Sequence, residues 1–254
     1  MKKVLYKLFI KILLPFRVAI RFEIKRELKV ISDQNAEILR ELKLIDKRQN
    51  LAHKIQSEAS RSTANFIIEK MNSAKLFDDK LKLIDYALAL TKNPRNAIIL
   101  EFGVFEGETL NYMASKWLGK LYGFDSFEGL PEDWRAGFGK GFFATGNIPI
   151  VPENVELIKG WFEETLPKFV ESNEEDIAIV HIDCDLYSST KTVFEVLSGR
   201  LKPGTLIIFD EYFNYPGWEM GEHKAMLEFA KSKKVGFEYL AYNQMHEQVL
   251  VRLI

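Results

Sequence analysis

Residues 177–190 read IAIVHIDCDLYSST. Ile177–Ile182 is a short apolar run with one histidine inside it, and a helical period takes over across Thr190–Leu201. A strand exposed on one face would alternate apolar and polar residues. A run this continuous, ended by acids and hydroxyl residues, predicts a strand buried on both faces. A buried strand that feeds a helix is the repeating unit of a parallel sheet. Asp183 and Asp185 fall where that strand ends.

The same alternation extends both ways along the chain. Upstream, residues 76–92 have a helical period, Ala97–Phe102 reads as a strand, 107–118 as a helix and Leu121–Phe124 as a strand. A long loop follows, then the strand Val155–Ile158 and the helix Glu163–Val170. Downstream come the strand Thr205–Phe209, the helix Glu222–Lys231 and the strands Phe237–Tyr242 and Gln248–Leu253. The last two are too close in sequence for a crossover helix, so they must be antiparallel. The expected fold is α/β: a doubly wound, Rossmann-like sheet of seven strands, mostly parallel, with a C-terminal antiparallel hairpin. It should occupy residues 75–254.

In such sheets ligands bind beyond the carboxyl ends of the strands, and the suggestive residues cluster there. After the first strand, Gly103 and Gly107 permit a tight turn, but the spacing is not the G-x-G-x-x-G of a dinucleotide site. Glu101 precedes the turn; a carboxylate there opposes a diphosphate and suits an ammonium group. Asp125 ends the second strand, with Ser126 beside it, where an acid can accept both hydroxyls of a ribose; the alternative for Asp125 is a helix cap. Trp161 and Phe162 follow the third strand and could flank an adenine or pack in the core. Asp183, Asp210 and Glu211 end neighbouring strands. Clustered carboxylates repel unless protons or a cation intervene, and oxygen ligands suit Mg²⁺. The alternative is one base, one cap and one paired acid. His181 is either a second proton acceptor or a satisfied core histidine.

Composition removes other classes. Lys and Arg total 35 against 36 Asp and Glu, a balance that does not point to nucleic acid. The single cysteine, Cys184, excludes an intrachain disulfide and a cysteine zinc site, and suits a reducing, cytoplasmic compartment. The charge is uneven, with a basic first fifty residues. Residues 1–20 place Lys3, Lys7 and Lys11 on one side of a helix and Leu5, Leu8, Phe9, Ile12, Leu13 and Phe16 on the other. The lysines interrupt any signal peptide or membrane span. The pattern fits a helix lying at the inner face of a membrane, or one packed on protein. Residues 21–60 carry a heptad with Leu28, Asn35 and Leu42 at a and Ile24, Ile31, Ile38 and Ile45 at d. It reads as a homo-oligomeric coiled coil, although Glu41 and Asp46 would repel in a parallel dimer; a single amphipathic helix is the alternative.

Four segments in order, Glu101–Gly107 (EFGVFEG), Gly123–Pro131 (GFDSFEGLP), His181–Thr190 (HIDCDLYSST) and Pro203–Tyr212 (PGTLIIFDEY), resemble the macrocin O-methyltransferase family. That family sits among the class I, catechol-type methyltransferases that depend on S-adenosylmethionine (SAM). The resemblance implies SAM as methyl donor, Mg²⁺ as an aid, and a sugar or other small-molecule hydroxyl as acceptor. It implies that Glu101, Gly103 and Gly107 line the methionine part of SAM, that Asp125 and Ser126 take the ribose, and that Asp183, Asp210 and Glu211 hold the metal, with Asp183 also the base. Glu211 departs from the family, which usually has Asp or Asn there. The stretches Asp133–Asn154 and Asn214–Lys224 also depart, so the acceptor is not implied. The first of them mixes Trp134, Phe138, Phe142 and Phe143 with glycines, as a lid or as a fixed wrap over the sheet edge. Two other classes compete: an NAD-dependent oxidoreductase, disfavoured by the missing glycine, and a non-catalytic scaffold, disfavoured by the acid cluster.

Overall fold

The computed structural model describes the backbone of residues 2–91 and 96–254, and the side chains of residues 20–44, 50–91 and 96–254. The chain divides into two compact units, Met1–Ile55 and Gln56–Ile254.

The first unit is built on one long helix, α1 (Lys2–Gln49). The side chains that would form the basic and apolar faces of residues 1–20 lie outside the described residues, apart from Ile20. Those of the heptad are described except for Ile45, which also lies outside the described residues: Ile24, Leu28, Ile31, Ile38 and Leu42 are each at least half exposed. No described helix is long and apolar enough to cross a membrane.

The second helix, α2 (Leu51–Lys70), runs into the second unit. There Ala59 and Thr63 are buried, and Phe66 and Ile67 pack against the core. Thr63 Oγ1 accepts from the Asn214 N–H at 2.9 Å. The compact unit therefore starts at Gln56, ahead of the boundary at 75 expected from the alternation.

The sheet has eight strands: β1 (Lys75–Phe77), β2 (Ala97–Phe102), β3 (Leu121–Asp125), β4 (Val155–Lys159), β5 (Asp176–Ile182), β6 (Leu206–Phe209), β7 (Phe237–Asn243) and β8 (Val249–Leu253). Their order is β1-β7-β8-β6-β5-β2-β3-β4. β8 runs antiparallel to both its neighbours, as the short connection requires, and every other pairing is parallel. The order reverses between β2 and β5, which is the switch point where ligands are received.

The seven expected strands are all present; β1 is an addition. Leu76 and Phe77 had been counted as helical positions. They instead pair with Tyr242 and Asn243 at the sheet edge. Three residues at an edge carry no periodicity to read. The helix starts later, as α3 (Lys80–Leu90), because Asp79 caps it: its side chain accepts from Leu81 N at 2.8 Å and Lys82 N at 3.2 Å.

The remaining helices are α4 (Glu108–Ala114), α5 (Phe162–Ser172), α6 (Tyr187–Leu197) and α7 (Glu222–Lys233). Strand side chains alternate between two faces. Ile98, Leu100, Phe102, Val180 and Ile182 pack on one face with α5, α6 and α7 residues such as Phe169, Phe194 and Phe229. Ile99, Ile179, Leu206 and Ile208 pack on the other with Leu83, Leu110 and Met113 from α3 and α4. Tyr212, Phe213, Tyr215 and Trp218 are buried, so the aromatic patch beyond Glu211 seals the core rather than offering an open platform. Asp79→Ala should cost about 1 kcal/mol, read as a lowered urea midpoint with an unchanged denaturant slope.

Candidate active site

A cavity of about 540 Å³ opens at the carboxyl ends of β2, β3, β5 and β6. Gly103, Asp125, Ser126, Trp161, Asp183, Asp210 and Glu211 all line it. The residues singled out from the sequence are thus brought together, with two exceptions. Glu101 and Gly107 do not line it. Gly107 sits at φ 78° as the residue before α4. Glu101 is fully buried in the sheet, where its carboxylate accepts from Thr109 Oγ1 at 3.2 Å and lies 2.9 Å from His181 Nδ1. Register explains this: Glu101 stands opposite His181 on β5, so the two side chains share a face. The methionine role implied for Glu101 and Gly107 has no support in this geometry.

Gly103 is at φ 91°, and a Cβ there would lie 1.7 Å from the Asp183 carbonyl oxygen. The turn after β2 therefore crosses the end of β5 at a distance only glycine allows. The same turn meets Asp125. Asp125 Oδ2 accepts from Val104 N at 2.8 Å and Phe105 N at 2.9 Å, and Oδ1 accepts from Phe127 N at 2.7 Å. So Asp125 works partly as a cap, but of a loop rather than a helix. Three non-glycine residues at this rim, Phe105, Phe127 and Asp185, take positive φ values of 48°, 59° and 64°. Each costs of order 1–3 kcal/mol, a price paid where the backbone must present groups to a ligand.

The opposite wall carries the charge problem. Period two puts His181 and Asp183 on one face of β5 and its extension, and Asp210 on the matching face beyond β6. Ligand atoms of His181, Asp183 and Asp210 all lie within 4.8 Å of one another. Glu211 lines the same cavity but falls outside that group. Burial opposes the charge on Asp210, yet His181 and Lys80 hold its carboxyl below the ordinary range. Burial, then repulsion from Asp210, raises Asp183 and Glu211 well above theirs. The same two causes push Asp185 up to about 7. Burial would lower the His181 pKa, but Asp210 and Glu101 outweigh it and raise it to about 10. The Nε2 to Asp210 Oδ1 distance is 3.9 Å, an ion pair rather than a hydrogen bond.

Three participants escape a sequence reading. Asp185 shares the cavity, and its alternation with Asp183 was the one available signal. Lys80, from the first turn of α3, brings Nζ to 4.0 Å from Asp210 Oδ1; only packing delivers it. Glu222, fully buried at the start of α7, accepts from Glu211 N at 3.2 Å.

The long loop is anchored. Arg135 donates to both carboxylate oxygens of Glu247 at 3.1 and 3.2 Å and lies over Trp134 and Tyr215. Phe138, Phe142 and Phe143 pack together, and Phe143 reaches Phe105 and the cavity wall. A histidine raised to about 10 stabilises the fold fully below pH 6.5, and that contribution disappears as pH climbs through 10. In chelator, urea midpoints of the wild type should therefore fall between pH 7.5 and 10, with a flatter profile for His181→Gln.

Residues 146–238 match the family model for macrocin O-methyltransferase (TylF), a stretch that holds Trp161, Asp183, Asp210 and Glu211. Over 63 residues the chain is 36% identical to a tetracenomycin-C 4'-O-methyltransferase of Streptomyces olivaceus, named in full for its 8-demethyl-8-(2,3-dimethoxy-alpha-L-rhamnosyl) form; the match covers 25% of this chain and 23% of that one. Over 86 residues it is 29% identical to demethyldecarbamoylnovobiocin O-methyltransferase of Streptomyces niveus, covering 33% and 32%. The chain thus spans only 23% and 32% of the length of these curated relatives. The solved calicheamicin methyltransferase CalS11 superposes with a TM-score of 0.56 at 24% identity, over 68% of this chain and 78% of that one. Over residues 146–238 the chain carries the macrocin O-methyltransferase signature, set in the fold of a solved methyltransferase.

Proposed function

We propose that the protein is a SAM-dependent O-methyltransferase acting on the hydroxyl of a sugar or other small molecule. The observation that carries the reading is one cavity lined by acids from both halves of the sheet: Glu106, Glu108 and Asp125 beyond β2 and β3, and Asp183, Asp210 and Glu211 beyond β5 and β6. A diphosphate would meet carboxylates on every side. A sulfonium nucleoside with an ammonium group would meet attraction. The family match and the O-methyltransferase relatives point the same way.

The residues also fit a divalent cation. Asp210 Oδ1 and Glu211 Oε2 are buried and make no hydrogen bond within the described residues, and the donor set is dominated by carboxylates. Asp183, Asp210 and Glu211 would hold it. SAM would supply an electrophilic methyl group, and the cation would polarise the acceptor oxygen and lower its pKa.

The chain's own residues supply the rest. Asp125, fixed by three N–H donors, keeps acceptor capacity on Oδ1 for a ribose hydroxyl, with Ser126 beside it. Trp161 offers a flat apolar surface to the base. Asp183 would take the acceptor's proton as the acceptor oxygen bonds to the methyl carbon and the carbon–sulfur bond breaks to leave a neutral thioether; Asp185, two residues on, lines the same cavity. Phe143 and Glu132, anchored through Ser188 Oγ at 2.6 Å, close the acceptor side against water. Alignment of the acceptor with an already activated donor is most of the catalytic task.

The exposed heptad of α1 supports a second proposal, association with another copy of this chain. Apolar a and d residues stand in solvent around one polar Asn35, the pattern that fixes register in coiled coils. Light scattering should give an oligomer mass that falls to the monomer's in an Ile31→Lys, Ile38→Lys variant; a monomeric wild type removes this proposal.

For the reaction, calorimetry should detect SAM binding and no NAD binding; the reverse result ends the methyltransferase reading. Asp183→Asn should slow methyl transfer by at least ~100-fold while SAM affinity moves by less than about threefold, since Asp183 faces the acceptor and not the ribose.

A further inference from the structure

The Glu101–His181 pair is buried deep in the sheet and takes no part in the reaction just described. His181 is fully buried, and it is the point where the acids of the rim meet the interior. Its two ring nitrogens have different surroundings. Nδ1 lies 2.9 Å from Glu101 Oε2, and Glu101 is itself fixed by Thr109. Nε2 is buried and makes no hydrogen bond within the described residues. It faces Asp210 Oδ1 at 3.9 Å, and that oxygen is likewise without a hydrogen bond. Asp183 completes the group.

An incoming cation that displaced the Nε2 proton would leave the carboxylate on Nδ1 to fix the tautomer and aim the Nε2 lone pair at the ion, the arrangement that accompanies histidine ligation of metals. Donor atoms around one octahedral ion lie roughly 3 to 4 Å apart, given metal–ligand bonds near 2.1 Å. The His181–Asp210 separation falls in that range. Lys80 approaches the same Asp210 oxygen at 4.0 Å, with its side chain 36% exposed.

We propose that His181 Nε2 is a ligand of the divalent cation, beside Asp183 and Asp210, with Glu101 as the carboxylate that orients it. This rests on the reading of a cation site given above and alters its chemistry. A nitrogen donor shifts preference away from Mg²⁺, which takes oxygen, toward transition ions such as Co²⁺ and Fe²⁺. It also gives Glu101 a role in the site although it does not line the cavity: it positions a ligand from behind.

The test uses the full chain stripped with chelator and then loaded with one equivalent of Mn²⁺ or Co²⁺. Pulsed electron paramagnetic resonance of the Mn²⁺ form should show a directly coordinated nitrogen whose signal changes on selective ¹⁵N-histidine labelling. Competition calorimetry should show Co²⁺ binding more tightly than Mg²⁺. His181→Gln should weaken Co²⁺ at least tenfold while changing Mg²⁺ less than threefold. Bound Mn²⁺ without nitrogen coupling overturns the assignment of His181 alone. No Mn²⁺ binding overturns it together with the metal part of the proposed function. The resonance measurement is made on the wild type, so it decides the matter even if the buried substitution fails to fold.

Discussion

Too many carboxylates for too few cations is the constraint around which this site is built. Asp183, Asp185, Asp210 and Glu211 share one cavity wall, and Glu222 lies behind it, fully buried. Two like charges 4 Å apart cost about 4 kcal/mol at an effective dielectric of 20. The pattern of shifts shows how the protein distributes that cost. Asp210 keeps its charge because His181 and Lys80 attend it. Asp183, Asp185 and Glu211 are driven toward their neutral forms by burial and by Asp210. One ionised acid with two cationic neighbours, ringed by acids held neutral, carries no net negative charge, so an added cation has to displace protons from these groups.

The backbone enforces this crowding. Asp183 N donates to Phe102 O and Asp210 N donates to Ile182 O, both at 2.9 Å, so the strand pairing continues past the strand ends and locks the acids side by side. Gly103 lets the β2 turn cross within van der Waals reach of the Asp183 carbonyl. Any side chain there would push the turn away, and the Val104 and Phe105 N–H groups would leave Asp125. The donor pocket and the acid cluster are therefore coupled through one residue with no side chain.

Strand identity was legible because β2, β5 and β6 are buried on both faces, and burial imposes continuous apolar runs that sequence shows directly. Site residues at strand ends were legible for the same reason: the ends of such runs are where polar residues must begin. Asp125, Asp183 and Asp210, read this way as candidates, do line one cavity. Glu101 was misplaced because one strand position decides whether a carboxylate faces ligand or the neighbouring strand, and register with His181 is not visible along a single chain. Lys80 and Glu222 were invisible for a different reason. Each reaches the acids from the first turn of a helix, and the placement of a helix end over a sheet is set by packing rather than by any local pattern. β1 was lost because three residues at a sheet edge are too few to carry a period.

The two ends of the cavity resolve their charge in opposite ways, and this bears on how the site works. Asp125 has three backbone donors at 2.7 to 2.9 Å and holds its geometry whether or not a ligand is near. Asp210 Oδ1, Glu211 Oε2 and His181 Nε2 make no hydrogen bond within the described residues. A nucleoside would therefore meet a donor end already satisfied by the backbone, whereas a cation at the other end would have to displace protons from groups that the strand pairing already holds together.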